Sequence, residues 1–139
     1  MNFLLDTCVI SELVSKQPNL KVVAWIDSLN SERVYLSVIT IGEIVKGIEK
    51  LSESKRKETL RAWLEHDLLA RFHGKIISLG IDDLIAWGTL TAEAERKGHP
   101  MPAIDSLIAA IVLNHGMTLV TRNVGDFAST GIEIVNPWE

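Results

Sequence analysis

The chain has 139 residues, 47% of them hydrophobic, which suits one globular domain over residues 1–139 that buries its own core. Its formal net charge of -4 excludes a uniformly basic nucleic-acid binder, and its single cysteine, Cys8, excludes an internal disulfide and a thiolate-rich zinc site. The longest apolar runs, such as Leu107 to Leu113, are far shorter than the ~20 residues that span a bilayer, and Met1 to Asp6 lack a basic leader; a cytoplasmic protein with no membrane partner is expected.

Phe3-Leu4-Leu5 reads as a short strand running directly into a helix that opens at Asp6-Thr7 and continues through Val9, Ile10, Leu13 and Val14. A second helix is expected from Asn19 to Leu29, followed by a β-branched and aromatic strand at Val34-Tyr35-Leu36. The next helix carries Ile41, Ile44, Val45, Ile48 and Leu51 at i, i+3, i+4, i+7 and i+10, an apolar stripe. A longer helix from about Ser54 to Phe72 stops at Gly74, Lys75 to Ser78 forms a strand, and a helix over 81–97 closes at Gly98. Beyond His99-Pro100-Met101-Pro102 a very apolar helix runs from Ala103 to about His115 and ends at Gly116. Thr118-Leu119-Val120 and Glu133-Ile134-Val135 are the last strands. Short strands alternating with helices predict an α/β fold: a mostly parallel sheet, flanked by helices on both faces, with its ligand site beyond the carboxyl ends of the strands.

Charge is uneven along the chain. Between Lys46 and Arg61 six basic residues stand against three acidic ones, so this stretch carries +3 and the remainder -7. It reads either as a solvated helix face laced with i,i+3 and i,i+4 pairs or as a patch that tracks phosphates.

Four acids fall where the strands should end. Asp6 directly follows the first strand, Glu43 lies in the opening turns of the helix after the second, Asp105 is in the first turn of the apolar helix, and Asp126 lies just past Thr121-Arg122-Asn123. Each has an ordinary alternative: Asp6 as a helix cap, Glu43 as a partner of Lys46, Asp105 as an anion at a helix dipole, Asp126 as a loop residue. Independent surface roles, however, do not predict that all four meet at one edge. Asp105 is expected to be the most constrained, because its helix is apolar nearly all round and so buried. Two unit charges ~4 Å apart repel by roughly 4 kcal/mol at an effective dielectric of ~20, so gathered carboxylates require a counter-ion. An oxygen-only donor set selects Mg²⁺ or Mn²⁺, and none of His66, His73, His99 and His115 is spaced to make a zinc site. With no nucleophile elbow and no phosphate-cradling glycine loop, the expected chemistry is phosphodiester hydrolysis by a metal-activated water.

Read as motifs, Leu4-Leu5-Asp6-Thr7, Ser37 to Glu43, Pro102 to Ala110, Thr121 to Phe127 and the closing Asn136-Pro137-Trp138 resemble, in order and spacing, the PIN-domain ribonucleases, and among them the VapC-type toxins of the FitB-like subgroup. The resemblance covers the whole chain. It implies a PIN-like fold and an endoribonuclease with a metal site of Asp6, Glu43, Asp105 and Asp126, supported by hydrogen bonds from Thr7, Thr121 and Asn123. Some relatives place the last acid at the position of Asn123. Cys8 stands where the family usually has Asn, which leaves the carboxylates intact and bears only on a supporting hydrogen bond. The resemblance also implies an RNA substrate, a homodimer, a cognate VapB-like antitoxin, and contact with DNA only through that antitoxin. Lys46, Lys50 and Arg122 are the candidate RNA contacts. Two alternatives are a non-catalytic corepressor within an antitoxin–operator complex and a phospho-acceptor switch, although the sequence lacks the paired acids and late lysine of the latter.

Overall fold

The computed structural model describes residues 1–139. Its strands are β1 (Phe3–Leu5), β2 (Val34–Ser37), β3 (Ile76–Ile77), β4 (Thr118–Val120) and β5 (Glu133–Val135), joined in one sheet in the order β3-β2-β1-β4-β5. All four pairings are parallel. Between the strands lie α1 (Thr7–Leu13), α2 (Leu20–Asp27), α3 (Val38–Glu49), α4 (Lys55–Ala62), α5 (Leu69–Arg71), α6 (Ile81–Arg96), α7 (Ala103–His115) and α8 (Val124–Phe127).

Because strand side chains alternate between faces, the short strands feed two cores. Leu5, Val34, Leu36 and Val120 pack with α1, α2, α3 and the segment after α4 on one face. Leu4 and Leu119 pack with Ile108, Ile111 and Val112 of α7 and with Phe127 of α8 on the other. Gly116 ends α7 at φ +63°, a conformation that glycine adopts without steric cost, and the chain enters β4 two residues later. So α7 runs back along the sheet, and its first turn stands at the carboxyl ends of the strands.

The predicted elements are present, with four differences. The stretch from Ser54 to Phe72 is not one α-helix: α4 gives way to a π-helical segment, Trp63–Leu68, before the short α5. In α3 the inward residues are Thr40, Ile44 and Ile48, whereas Val45 and Leu51 are 39% and 40% exposed. Ser37, the last residue of β2, caps α3 by accepting from Thr40 N (3.2 Å), so the helix starts at the strand end with Thr40 turned inward. The apolar α7 is buried in its middle but leaves Ile104 and Leu113 partly exposed at its two ends. Two 3₁₀ turns, Ser31–Arg33 and Ala128–Thr130, and the one-turn α8 had no periodic signal because each is too short for one.

The basic stretch is largely structural. Lys57 is buried, and its ammonium donates to the carbonyls of Glu49 (3.2 Å) and Leu51 (2.9 Å) at the end of α3 while pairing with Glu53 at 3.0 Å. A cation there satisfies orphan carbonyls and complements the helix dipole. Arg61 grips Glu49 through two bonds of 3.1 Å, and Arg56 donates to Val14 O at 2.9 Å. Helix-to-helix clamps therefore replace the expected surface pairs within one helix, and only Lys46, Lys50 and Lys55 of the six cations remain uncommitted. Lys57→Ala should lower the unfolding free energy in urea by about 2 kcal/mol, while Lys55→Ala should leave the midpoint unchanged.

Candidate active site

The register of the central strands builds the site. Leu5 pairs with Val120, and one step further Asp6 N donates to Val120 O (2.9 Å) while Thr121 N donates to Val135 O (3.0 Å). Asp6 and Thr121 therefore stand side by side at the carboxyl edge. Thr121 Oγ1 donates to Asp6 Oδ2 (2.8 Å) and Thr7 N to Asp6 Oδ1 (2.8 Å). Asp6 is thus the cap of α1 and a member of the acid rim at once. Burial pushes its carboxyl pKa above the ordinary value; the bonds from Thr121 and Thr7 pull the other way, and the charges of Glu43 and Asp126 add to the rise.

Glu43 is not paired with Lys46. It accepts from Thr7 Oγ1 at 2.6 Å, and Thr40 Oγ1 lies 3.1 Å from that same hydroxyl, so α1 and α3 are tied together at the rim. Asp105, at the opening of α7, is half-buried and accepts no hydrogen bond from the chain. Its pKa is raised by burial first, then by the charges of Asp126, Asp6 and Glu43. This corrects the expectation that Asp105 is the most constrained acid: Asp6 is, because the strand register holds it directly, while the Pro102-Ala103 start of α7 offers Asp105 no partner.

Asp126 is exposed in the first turn of α8, and its N–H donates to Asn123 O at 3.1 Å. Its charge acts on both Asp6 and Asp105. The Asn123 side chain makes no hydrogen bond; its backbone N–H donates to Thr121 Oγ1 at 3.1 Å. The structure therefore gathers four acids along one rim, where the charges of Glu43 and Asp126 reach Asp6 and those of Asp126, Asp6 and Glu43 reach Asp105. No three acid, histidine or cysteine side chains are close enough to form a ready-made metal cage. The donor chemistry nevertheless fits a hard cation, since the four acids offer oxygen donors only and Asp6 and Asp105 are held above their usual pKa.

Two residues at the site had weak signals in the sequence. Cys8 Sγ accepts from Arg122 N (3.5 Å), lies 3.5 Å from Thr121 Oγ1 and is 3.9 Å from Asp6 Oδ2. Burial pushes the thiol pKa up, so it is a protonated packing group. Thr40, three residues before Glu43, was hidden by the apolar stripe around it. Among the candidate RNA contacts, the Arg122 guanidinium lies 5.3 Å over the Trp138 ring. Lys46 and Lys50 line a trough of about 460 Å³ that also includes Glu43 and Ile104. His66, His73 and His99 are exposed, and His115, at the end of α7, bonds Asp83 at 3.0 Å, far along the helix from Asp105.

Comparison with known proteins places the chain in a family. The PIN domain model matches residues 3–132. The chain belongs to the PIN domain family. It is similar to Toxin FitB of Neisseria gonorrhoeae, with 39% identity over 97% of both chains. It is also similar to the VapC ribonuclease Y4jK of Sinorhizobium fredii, with 36% identity over 97% of this chain and 96% of that one. Among solved structures, FitAcB from Neisseria gonorrhoeae aligns over 99% of each chain with a TM-score of 0.93 and 39% identity. The α/β fold with its parallel sheet is that of a PIN domain.

A raised carboxyl pKa means that the ionised native form is disfavoured relative to the unfolded chain, so stability falls as pH rises through the native value. With divalent ions chelated, Asp105→Asn should melt at a higher temperature than wild type at pH 7.5. The gain should shrink as the pH is lowered and the native carboxyl takes up its proton; thermal melts across an acid pH series check it.

Proposed function

We propose that the chain is a metal-dependent endoribonuclease toxin, restrained by a cognate VapB-like antitoxin, in which Asp6, Glu43, Asp105 and Asp126 hold Mg²⁺, with Mn²⁺ able to substitute. The rim of like charges favours this reading above all. Carboxylates whose charges push up the pKa of Asp6 and Asp105 are unfavourable neighbours without a cation, and an oxygen-only set takes a hard one. The likeness to a VapC ribonuclease and to Toxin FitB points the same way.

Bound among these acids, Mg²⁺ would supply Lewis acidity, acidifying the attacking water and neutralising charge on the phosphate. The chain's own residues prepare the place. Thr121 and the Thr7 N–H fix both oxygens of Asp6, and the Thr7 hydroxyl fixes Glu43. Asp105 and Asp126 have no such partners, so they are free to close on a ligand. Asn123 steadies Thr121 through its backbone N–H and is a weaker candidate for the fourth position than Asp126, which carries a charge. Cys8, protonated, is no nucleophile. Lys46, Lys50 and Arg122 would meet the RNA backbone, where cations position a strand without reading its sequence.

The partners follow the family. With a net charge of -4 the chain is poorly suited to bind DNA alone, and operator contact would run through the antitoxin. A homodimer is proposed as well, for which Ile81 and Ile85 of α6, 80% and 63% exposed, supply an uncovered apolar face. The place of action would be the cytoplasm, where Cys8 stays reduced.

The purified chain should cut single-stranded RNA with Mg²⁺ or Mn²⁺, lose activity on chelation, and lose about 10²-fold or more in Asp6→Asn. Cleavage that survives both chelation and Asp6→Asn would refute a metal-dependent acid site. Expression should arrest growth, and Asp6→Asn should relieve the arrest.

A further inference from the structure

Beside the acid rim lies a cavity of about 330 Å³ between α1, α3 and α4, within the ~300–1,000 Å³ of small-ligand sites. Thr7 and Glu43 belong to both, so the cavity meets the acid rim at Glu43. We propose that it is a nucleobase subsite, which receives a base of the RNA strand next to the phosphodiester facing the acids. This rests on the ribonuclease reading above and adds a base preference to it.

Three features favour a base as the occupant. Trp63 forms one wall, and an indole face stacks on any base. Its Nε1, like that of Trp25, has no partner within the chain, whereas those of Trp87 and Trp138 donate to Ser106 and Glu12; of the two unpartnered indoles, only that of Trp63 lines this cavity. At the rim, Ser11 is free to bond a base edge, and Arg56 uses one guanidinium N–H on Val14 O and keeps others.

The second feature is the π-helical segment that starts at Trp63. Such segments are rare, mostly single turns set into an α-helix, and recur at functional sites. Here it sets the residue that walls the cavity.

Third, Gly47 lies inside α3, where glycine weakens a helix. Packing does not demand it, because an added Cβ would meet nothing within 4 Å. Gly47 belongs both to this cavity and to the trough lined by Lys46 and Lys50, neither of which has an ion-pair partner. A missing side chain at that saddle lets a strand cross α3 beside Glu43. Its base then sits against Trp63 and its phosphates lie along the two lysines, which matches the charge of the strand on both sides of the ridge.

The test is cleavage of a randomised single-stranded RNA pool by the full chain with Mg²⁺, with the cut ends sequenced and KM and kcat measured separately. Wild type should prefer certain bases beside the cut. Trp63→Ala and Gly47→Leu should flatten that preference and raise KM about tenfold with little change in kcat, whereas Trp63→Phe, which still stacks, should keep it. Gly47→Leu adds a good helix former in open space, so its melting temperature should not fall, which guards against a misfolded Trp63→Ala. Wild-type cleavage with unchanged preference and KM in Gly47→Leu and Trp63→Ala would overturn the subsite and leave the ribonuclease reading intact. Variants that cleave RNA as wild type does but escape inhibition by the antitoxin would also overturn it, giving the cavity to a protein segment. No cleavage by wild type with either metal would remove the ribonuclease reading and the subsite with it.

Discussion

One hydrogen bond at the edge of the sheet organises this protein: the hydroxyl of Thr121 donating to the carboxylate of Asp6. It exists because β1 and β4 are paired in register, so the residues just beyond each strand must be neighbours. Everything else at the rim is placed relative to it. The helix capped by Asp6 brings Thr7 to Glu43, the thiol of Cys8 fills the space beside Thr121, and the turn after Thr121 carries Asp126 to the same edge.

The four acids are held with unequal firmness, and that inequality is chemically useful. Asp6 and Glu43 are bonded to α1 and to the post-β4 turn, while Asp105 and Asp126 project with nothing to hold them. A rim half fixed and half adjustable keeps its repulsion modest when empty and can tighten when a cation arrives. The stabilisation given up by gathering like charges is supplied elsewhere, by two apolar cores and by clamps such as Lys57 on the end of α3.

Much of this was legible in the sequence because it rests on local rules. A strand running into Asp-Thr, glycines closing three helices, and the 3.6-residue period gave the order of elements and the edge on which the acids would sit. What escaped depended on partners far away in the chain. Whether Thr40 or Val45 turns inward depends on how the cap at Ser37 starts α3. Whether Lys57 is a surface charge or a buried clamp depends on where the end of α3 lies relative to α4. Cys8 looked inert and is inert as a nucleophile, but its contact with Thr121 joins residues 113 positions apart. The π-helical segment left no mark, since a single wide turn does not disturb composition.

The sheet order also sets a timetable. The strand made first, β1, sits at the centre and pairs with β4, so the bond between Asp6 and Thr121 spans 115 residues. At ~5–20 residues per second, a ribosome delivers Thr121 on the order of ten seconds after Asp6. Until then Asp6 has neither its hydroxyl partner nor the companions that come with α7 and α8, and the nascent chain carries its first acid without an assembled rim. Whatever the completed site does to other molecules, it begins to do so only after the ribosome has made Thr121, Asp126 and the helices that carry the other acids.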